Sequence, residues 1–244
     1  MSRTTQLPKS MTYREIRPYL DNNDKVLFCG KGAISKAIVI VSTIGYILNW
    51  KNWGSGFVKG LDNKYSHCGS IVRVPWQYIA ELLVQGKIPA EAIDKRIDDN
   101  KADAIMLLES TSINGGFKGV QLRLLSEAIK SYKGTVTIRR QSTNMLPDLE
   151  RDKNFIESVL GQRYEKSIVE LFRSAIDLPG IEQDGDLSSI FCAELNALRD
   201  QLWRLLPENP PPNEYTPADY RTGGMVDENM YNGHLQEEIV IVAE

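Results

Sequence analysis

The sequence predicts an α+β protein in which a long helix packs on an antiparallel, partly closed sheet of about five or six strands. Short apolar runs bounded by glycine or polar residues predict the strands, which cover residues 25–30, 65–74, 104–110, 120–124 and 135–140. An amphipathic segment that opens at Ser189 predicts the long helix, as far as Leu206. The two patterns have different periods, so the fold class mixes strands and helices.

Changes in polarity between the strands predict the remaining elements of the N-terminal part. They indicate a helix over 33–48, a loop over 54–63, a helix over 75–85 and a charged surface insert over 89–101. The run 104–110 is apolar until Glu109, which is typical of a central strand that is buried on both faces.

The C-terminal part is predicted to be richer in helices. Helices are expected over 147–160 and 165–176, and a loop of glycine, proline and acidic residues covers 179–188. Five prolines within 207–217 predict an extended tether without secondary structure. The β-branched run 237–243 predicts a final strand at an edge of the sheet.

Composition and charge limit the number of domains and the kinds of partner that the chain can have. With 244 residues, of which 42% are hydrophobic, the chain suits one domain over 24–244, preceded by an N-terminal segment over 1–23. A formal net charge of −3 argues against nucleic acid as a partner, since such proteins present clustered basic residues. The oligomeric state does not follow from composition.

Compartment is predicted from the cysteines and from the N-terminus. Three widely spaced cysteines argue against a disulfide framework, and residues 1–9 are polar and unlike a secretory signal, which together predict a cytoplasmic location. The apolar stretch 33–50 is too short and too polar for a membrane span. It predicts a packed helix, with membrane contact through Trp50 and Trp53 as the alternative.

Cys192 is the candidate nucleophile. It begins an amphipathic helix, and a helix N-terminus beside an imidazole lowers the pKa of a thiol. Of the two histidines, His234 lies in a glycine-bounded loop, whereas His67 starts a strand and shares a face with Ile71, where a helix N-terminus packed on the sheet would meet it. Glu109 is the candidate acceptor that orients the imidazole, although a merely exposed or ion-paired glutamate fits the pattern equally well.

Four motifs in this order resemble the YiiX/YebB-like family, a circularly permuted branch of the NlpC-type papain-like hydrolases. The resemblance covers most of 24–220 and implies a permuted papain-like fold in which histidine and acid precede cysteine in the chain. It also implies a cysteine hydrolase that needs no cofactor. The motifs are Tyr65-Ser66-His67-Cys68-Gly69, Leu108-Glu109-Ser110-Thr111, Gly161-Gln162-Arg163-Tyr164 and Phe191-Cys192-Ala193-Glu194-Leu195.

The resemblance implies a catalytic triad of Cys192, His67 and Glu109. It offers Tyr164 as a second oxyanion donor, with a core tyrosine as the equal alternative, and it permits Glu194 to recognise a substrate amine. Glu194 also suits a structural role in the first helical turn. Cys68 departs from the family pattern, and strand alternation turns it away from the face of His67, which favours packing over catalysis.

The function predicted first is hydrolysis of amide, peptide-like bonds through a thioester. Hydrolysis or transfer of a fatty acyl group is the second enzymatic reading, and a non-catalytic binding module is the third. A zinc site built from the three cysteines and His67 is disfavoured, because the sequence has no paired Cys-x-x-Cys and adjacent strand residues face opposite ways. The sequence thus predicts no metal.

Overall fold

The computed structural model describes residues 6–31, 36, 39–40, 64–89, 103–111, 119–143, 148–163 and 191–243. Within these ranges the protein is α+β, with a seven-stranded sheet, a separate two-stranded sheet and six α-helices. The strands are β1 Ser10–Thr12, β2 Lys25–Gly30, β3 His67–Pro75, β4 Asp103–Thr111, β5 Gly119–Leu124, β6 Gly134–Arg139, β7 Gln141–Ser142, β8 His234–Leu235 and β9 Ile239–Val242. The helices are α1 Tyr13–Ile16, α2 Trp76–Val84, α3 Leu125–Ser131, α4 Leu149–Val159, α5 Cys192–Leu202 and α6 Met225–Asn229.

The large sheet is open and has the order β1-β9-β6-β2-β3-β4-β5. Its strands pair antiparallel except for β1 and β9, which are parallel. The prediction of a partly closed sheet of fewer strands is therefore wrong. The prediction of an edge position for the last strand is also wrong, because β1 pairs with the outer side of β9. The three-residue β1 lacks the apolar alternation that reveals a strand in sequence.

The N-terminal segment is part of this core. Besides β1, it contributes Ile16 and Leu20, which are both fully buried. They pack on the same side of the sheet as Ile71 and Leu107. Residues ahead of the predicted boundary at 24 thus belong to the same hydrophobic core as the strands.

Side chains alternate between the two faces of the sheet, as the period of two requires. Val72 and Leu108 pack with Leu195 of α5 on one face. Ile71 and Leu107 belong to the core of the other face, which contains no residue of α5. Helix α5 therefore packs on the face opposite to Ile71, contrary to the expectation that it would meet the Ile71 face.

The pairing of β3 with β4 stops before the two strands end. The last paired residues are Ser70 and Leu108, whereas β4 continues to pair with β5 as far as Thr111. Gly69 sits where the ladder ends, and a Cβ there would lie 2.7 Å from the Leu107 side chain and 2.8 Å from the Leu108 carbonyl oxygen. The start of β3 is thus free of β4 on one side, next to Glu109.

Buried ion pairs fix α5 on the sheet. Arg199 donates to both carboxylate oxygens of Asp152 in α4, at 2.9 and 2.7 Å, and to the hydroxyl of Ser70 at 2.9 Å. Lys25 of β2 donates to Asp200 at 2.7 Å, and the hydroxyl of Tyr220 donates to the same carboxylate at 3.1 Å. We call these residues the anchor cluster: Lys25, Ser70, Asp152, Arg199, Asp200 and Tyr220.

Two further predictions differ from the structure at the C-terminal side of α5. The helix ends at Leu202 instead of Leu206. The predicted tether is packed, because it contains the 3-10 helix Pro212–Glu214 and the buried residues Tyr215 and Thr216, and a second 3-10 helix follows at Pro217–Tyr220.

Other predicted elements lie largely or wholly outside the described residues. They are the helix over 33–48, the loop over 54–63, nearly all of the insert over 89–101, the helix over 165–176 and the loop over 179–188. Among the helices that the structure describes, none combines the length and apolarity needed to span a bilayer.

Candidate active site

Cys192 is the first residue of α5, and only 5% of its surface is exposed. Phe191 before it is extended, and the carboxylate of Glu194 accepts a hydrogen bond from the Phe191 backbone N–H at 3.1 Å. This contact satisfies one backbone donor at the start of the helix. Cys192 thus lies at the positive end of the helix dipole, as predicted.

His67 and Glu109 are in contact. The Nε2 atom of His67 lies 2.7 Å from Oε2 of Glu109. Glu109 is fully buried, whereas the His67 side chain keeps 20% of its surface exposed. The buried carboxylate thus holds an imidazole that still reaches solvent.

The second oxygen of Glu109 is held by β5. Its Oε1 accepts from Nε2 of Gln121 at 2.8 Å and from Nε of Arg123 at 2.5 Å. Gln121 is the residue directly opposite Glu109 in the ladder, and Arg123 is opposite Leu107, so both lie on the Glu109 face. Because these donors occupy Oε1, the orientation of the carboxylate toward His67 is fixed.

The thiol of Cys192 lies within hydrogen-bonding reach of His67 and of the Cys68 backbone N–H. Since Glu109 occupies Nε2 of His67, Nδ1 is the ring nitrogen that remains for the thiol. The early end of the β3–β4 ladder leaves this part of β3 open to Cys192. The three predicted catalytic residues therefore form a continuous chain of contacts.

The environment favours the ionised forms of His67 and Glu109. Burial alone would lower the pKa of His67, but the neighbouring Cys192 thiolate and the Glu109 carboxylate raise it to about 10. Burial alone would raise the pKa of Glu109, but its contacts with His67 and Arg123 lower it to about 2. At neutral pH this arrangement favours an imidazolium beside a carboxylate.

The pKa of the Cys192 thiol is lowered well below its usual value. The hydrogen bond from the Cys68 thiol contributes most; burial opposes the change, and the charge and hydrogen bond of His67 support it. The Cys68 pKa is raised well above its usual value, first by burial and then by the Cys192 thiolate beside it. These directions favour the thiolate on Cys192, which His67 contacts, and the protonated thiol on Cys68.

Cys68 lies closer to Cys192 than the sequence indicates. It points away from the face of His67, as predicted, but α5 packs on that side of the sheet, so Cys68 shares a buried cluster with Cys192. The Asn196 amide donates to the Cys68 sulfur at 3.4 Å and to the Cys192 carbonyl oxygen at 2.8 Å. The prediction that favoured packing over catalysis for Cys68 does not account for these polar contacts.

The remaining predicted residues have different positions. Tyr164 lies outside the described residues. Glu194 is at the helix start, where its bond to Phe191 fits the structural role, and recognition of a substrate amine stays a prediction. His234 is exposed and pairs with Ser142 between β8 and β7.

Two observations concern other kinds of site in the described part of the chain. No group of three or more histidine, cysteine or acidic side chains there is arranged to hold a metal ion. A cavity of about 330 Å³ lies between β3, α2 and α4, and its lining includes Arg73, Tyr78 and Lys153 but none of the predicted site residues.

Sequence reasoning missed the roles of Gln121, Arg123, Cys68 and Asn196. For Gln121 and Arg123 a signal existed, because polar residues alternate with Val120, Leu122 and Leu124 in a strand that follows the acid-bearing strand. The register that places them on Glu109 is not visible in sequence. For Cys68 the signal was misleading, since strand alternation does not reveal which face receives α5.

No family model matches this chain, and the search of curated proteins finds no significant similarity. The resemblance to the permuted papain-like hydrolases therefore stays a prediction that rests on the motifs.

Proposed function

We propose that this protein is a thiol-dependent hydrolase that cleaves amide, peptide-like bonds through a thioester intermediate, on a permuted papain-like fold. The observation that carries the proposal is the chain of contacts from Cys192 through His67 to the buried Glu109. The order of these residues in the sequence is the order that the resemblance implies. The motifs and the geometry thus support the same chemistry independently.

In the first half of the reaction, the Cys192 thiolate attacks the carbonyl carbon of the substrate. The electrons of the carbonyl double bond move to oxygen, and the backbone N–H of Cys192 at the helix N-terminus is suited to stabilise that oxyanion. As the tetrahedral intermediate collapses, the carbon–nitrogen bond breaks and the His67 imidazolium gives its proton to the leaving amine. The product is a thioester on Cys192.

In the second half, neutral His67 accepts a proton from water, and the resulting hydroxide attacks the thioester carbon. The carbon–sulfur bond breaks, the carboxylic acid product leaves, and the thiolate–imidazolium pair is restored. Glu109 stays ionised throughout, and it keeps the ring of His67 in one orientation because Gln121 and Arg123 hold its other oxygen.

The contrast with a non-catalytic binding module lies in the buried charges. A thiol with a lowered pKa, a histidine with a raised pKa and a buried carboxylate, all in contact, are typical of functional sites. Burying a carboxylate is costly unless it is fully paired, and the carboxylate of Glu109 has three side-chain partners, His67, Gln121 and Arg123. Ligand binding alone does not require a thiol, an imidazole and a carboxylate in contact.

The test is the rate of Cys192 alkylation by iodoacetamide as a function of pH, with the modified cysteine identified by peptide mass spectrometry. In the parent, the apparent pKa of Cys192 is expected well below the ~8.5 of a free thiol. In His67→Ala the pKa should rise, and the rate at pH 6 should fall roughly a hundredfold, after allowance for the greater intrinsic reactivity of a more basic thiolate.

His234→Ala is the matched control, because it removes the other histidine, which is exposed. It should leave the alkylation profile of Cys192 unchanged. A Cys192 that reacts as an ordinary thiol in the parent, or that is unaffected by His67→Ala, would contradict the proposal and favour the binding module. A reactive Cys192 justifies a screen of peptide-like amides against acyl esters to identify the substrate.

A further inference from the structure

Two thiols meet at the start of α5. Cys68 and Cys192 are both buried, share one cluster and are joined by a hydrogen bond from the Cys68 thiol to the Cys192 sulfur. The third cysteine, Cys29, lies on β2 at the margin of the same cluster and is partly exposed. The nucleophile therefore has an immediate thiol neighbour that forms and breaks no bond in the proposed hydrolysis.

Polar contacts hold the Cys68 sulfur in place. The Asn196 side chain, one turn after Cys192 on α5, donates to that sulfur at 3.4 Å and also to the Cys192 carbonyl oxygen at 2.8 Å. Lys25 is close enough for its charge to act on Cys68. An apolar side chain would fill the same space without needing an amide donor, so packing alone does not explain this thiol.

We propose that Cys68 is a resolving thiol for Cys192, with which it forms a reversible disulfide when the nucleophile is oxidised by a peroxide. This proposal rests on the proposed function, because it needs Cys192 to be the reactive thiolate. Its consequence is that oxidation switches the site off and protects Cys192 from irreversible damage, and that a thiol reductant restores it.

The chemistry balances in two steps. The Cys192 thiolate attacks one oxygen of hydrogen peroxide, the O–O bond breaks, and after proton transfer the products are a sulfenic acid and hydroxide. Cys68 then attacks the Cys192 sulfur, a sulfur–sulfur bond forms, and the sulfenic oxygen leaves with the Cys68 proton as water. Two equivalents of an external thiol reverse the process, since they are oxidised to a disulfide while both cysteines return to thiols.

The positions of the two residues suit this bond. The two cysteines belong to one buried cluster, and the Asn196 side chain bridges them, since it donates both to the Cys68 sulfur and to the Cys192 carbonyl oxygen. One belongs to the inner strand β3 and the other to the first turn of α5. Closing the bond thus requires the start of the helix and the strand to approach each other until the two sulfurs are about 2.05 Å apart.

The experiment treats the full-length parent, Cys68→Val, Cys68→Ser and Cys29→Ala with a small excess of hydrogen peroxide. Reactivity of Cys192 toward iodoacetamide is measured before oxidation, after oxidation and after dithiothreitol. Peptide mass spectrometry identifies a Cys68–Cys192 linkage and any sulfinic acid on Cys192. Cys68→Val keeps an apolar residue of suitable size, and Cys68→Ser provides a second variant if valine disturbs folding.

In the parent, oxidation should abolish Cys192 alkylation, the linked peptide should appear, and dithiothreitol should restore nearly all reactivity. Cys29→Ala should behave in the same way. Both Cys68 variants should recover a smaller share of their own starting reactivity, because sulfenic acid that no thiol captures is oxidised further, and at least several-fold more sulfinic acid should accumulate on Cys192.

Two results would overturn the proposal. If Cys192 is reactive before oxidation but the parent forms no linked peptide and recovers no better than Cys68→Val, the resolving role fails while the proposed hydrolase stands. If Cys192 is unreactive before oxidation, the proposed function and the resolving role fail together.

Discussion

Two buried groups of charges in this protein are built from similar side chains but serve opposite ends of the same helix. The anchor cluster holds the C-terminal part of α5 through Arg199 and Asp200. The second group, which we call the site cluster, meets the start of α5 and consists of Cys192, His67, Glu109, Gln121 and Arg123.

The two clusters differ in the kind of side chain at which their contacts end. In the anchor cluster the lysine and arginine side chains meet carboxylates directly. In the site cluster the contacts run from Arg123 through Glu109 to an imidazole and then to a thiol, and both of the last two groups exchange protons. The site cluster therefore ends in two groups that titrate, which is the property that the proposed hydrolysis needs.

The largest effect is expected from breaking the anchor. Arg199→Met should lower the free energy of unfolding by about 3–5 kcal/mol, because Asp152 would stay buried without its cation. Urea unfolding measures the change. Arg151→Met, which alters an exposed arginine of the same helix as Asp152, should stay within about 0.5 kcal/mol of the parent. Equal stability of the two variants would show that Asp152 does not depend on Arg199.

The next effect concerns the acid side of the site cluster. The pKa of the Glu109 carboxyl is about 2 in the folded protein, below the value of 4.5 that represents the unfolded chain. Its contribution to stability is therefore complete above pH 4.5 and is lost as the pH falls through 2. This loss should reach about 3 kcal/mol, and it should be absent from Glu109→Gln.

His67 acts in the opposite direction. Its folded pKa of about 10 exceeds the reference value of 6.5, so its stabilisation is complete below pH 6.5 and is lost as pH rises through 10. Urea unfolding of the parent and of Glu109→Gln between pH 2 and pH 10 measures the loss of stability in acid that Glu109 causes and the loss in alkali that His67 causes. Parallel curves for the two proteins in acid would contradict the low pKa of Glu109.

A smaller effect is expected from loosening the support of Glu109. Arg123→Met removes one of the two donors to Oε1, so the alkylation rate of Cys192 at pH 6 should fall about tenfold, the effect of ~1.4 kcal/mol. Arg123→Lys should recover part of the rate, because it restores the charge. Arg73→Met is the matched control, since Arg73 pairs with Asp103 at the other end of β3 and β4. It should leave the pH profile of Cys192 unchanged.

The smallest effect tests the start of α5 itself. Glu194→Ala should cost about 1 kcal/mol of unfolding free energy, because Phe191 loses a capping contact, and Glu194→Gln should recover most of it. Both variants should keep the alkylation profile of Cys192. If Glu194→Gln is stable and reactive but fails to turn over an amine-bearing substrate that the parent cleaves, Glu194 recognises that amine in addition to capping.

The parts of the fold that the sequence predicts well have local signals. The strand that begins near His67, the apolar strand that carries Glu109 and the helix that Cys192 begins all follow from periodicity and turn residues. Their bounds differ by a few residues, because helix ends depend on packing as well as on local preference.

The parts that could not be predicted depend on residues far apart in the chain. Arg199 and Asp200 look like the solvated face of an amphipathic helix, but they are buried because their partners, Asp152 and Lys25, lie 47 and 175 residues away. The sequence also does not predict which face of the sheet α5 packs on. It therefore does not predict that Cys68 and Cys192 lie in one cluster.

The parallel pair of β1 and β9 has a consequence for the handling of this protein. Strand β9 is an Ile-Val-Ile-Val run, and β1 covers its outer row of backbone donors and acceptors. A protein shortened to begin at residue 24 would expose that β-branched edge, which is a template for intermolecular strand addition and aggregation. The short polar strand at the N-terminus is therefore a solubility element as much as a part of the core.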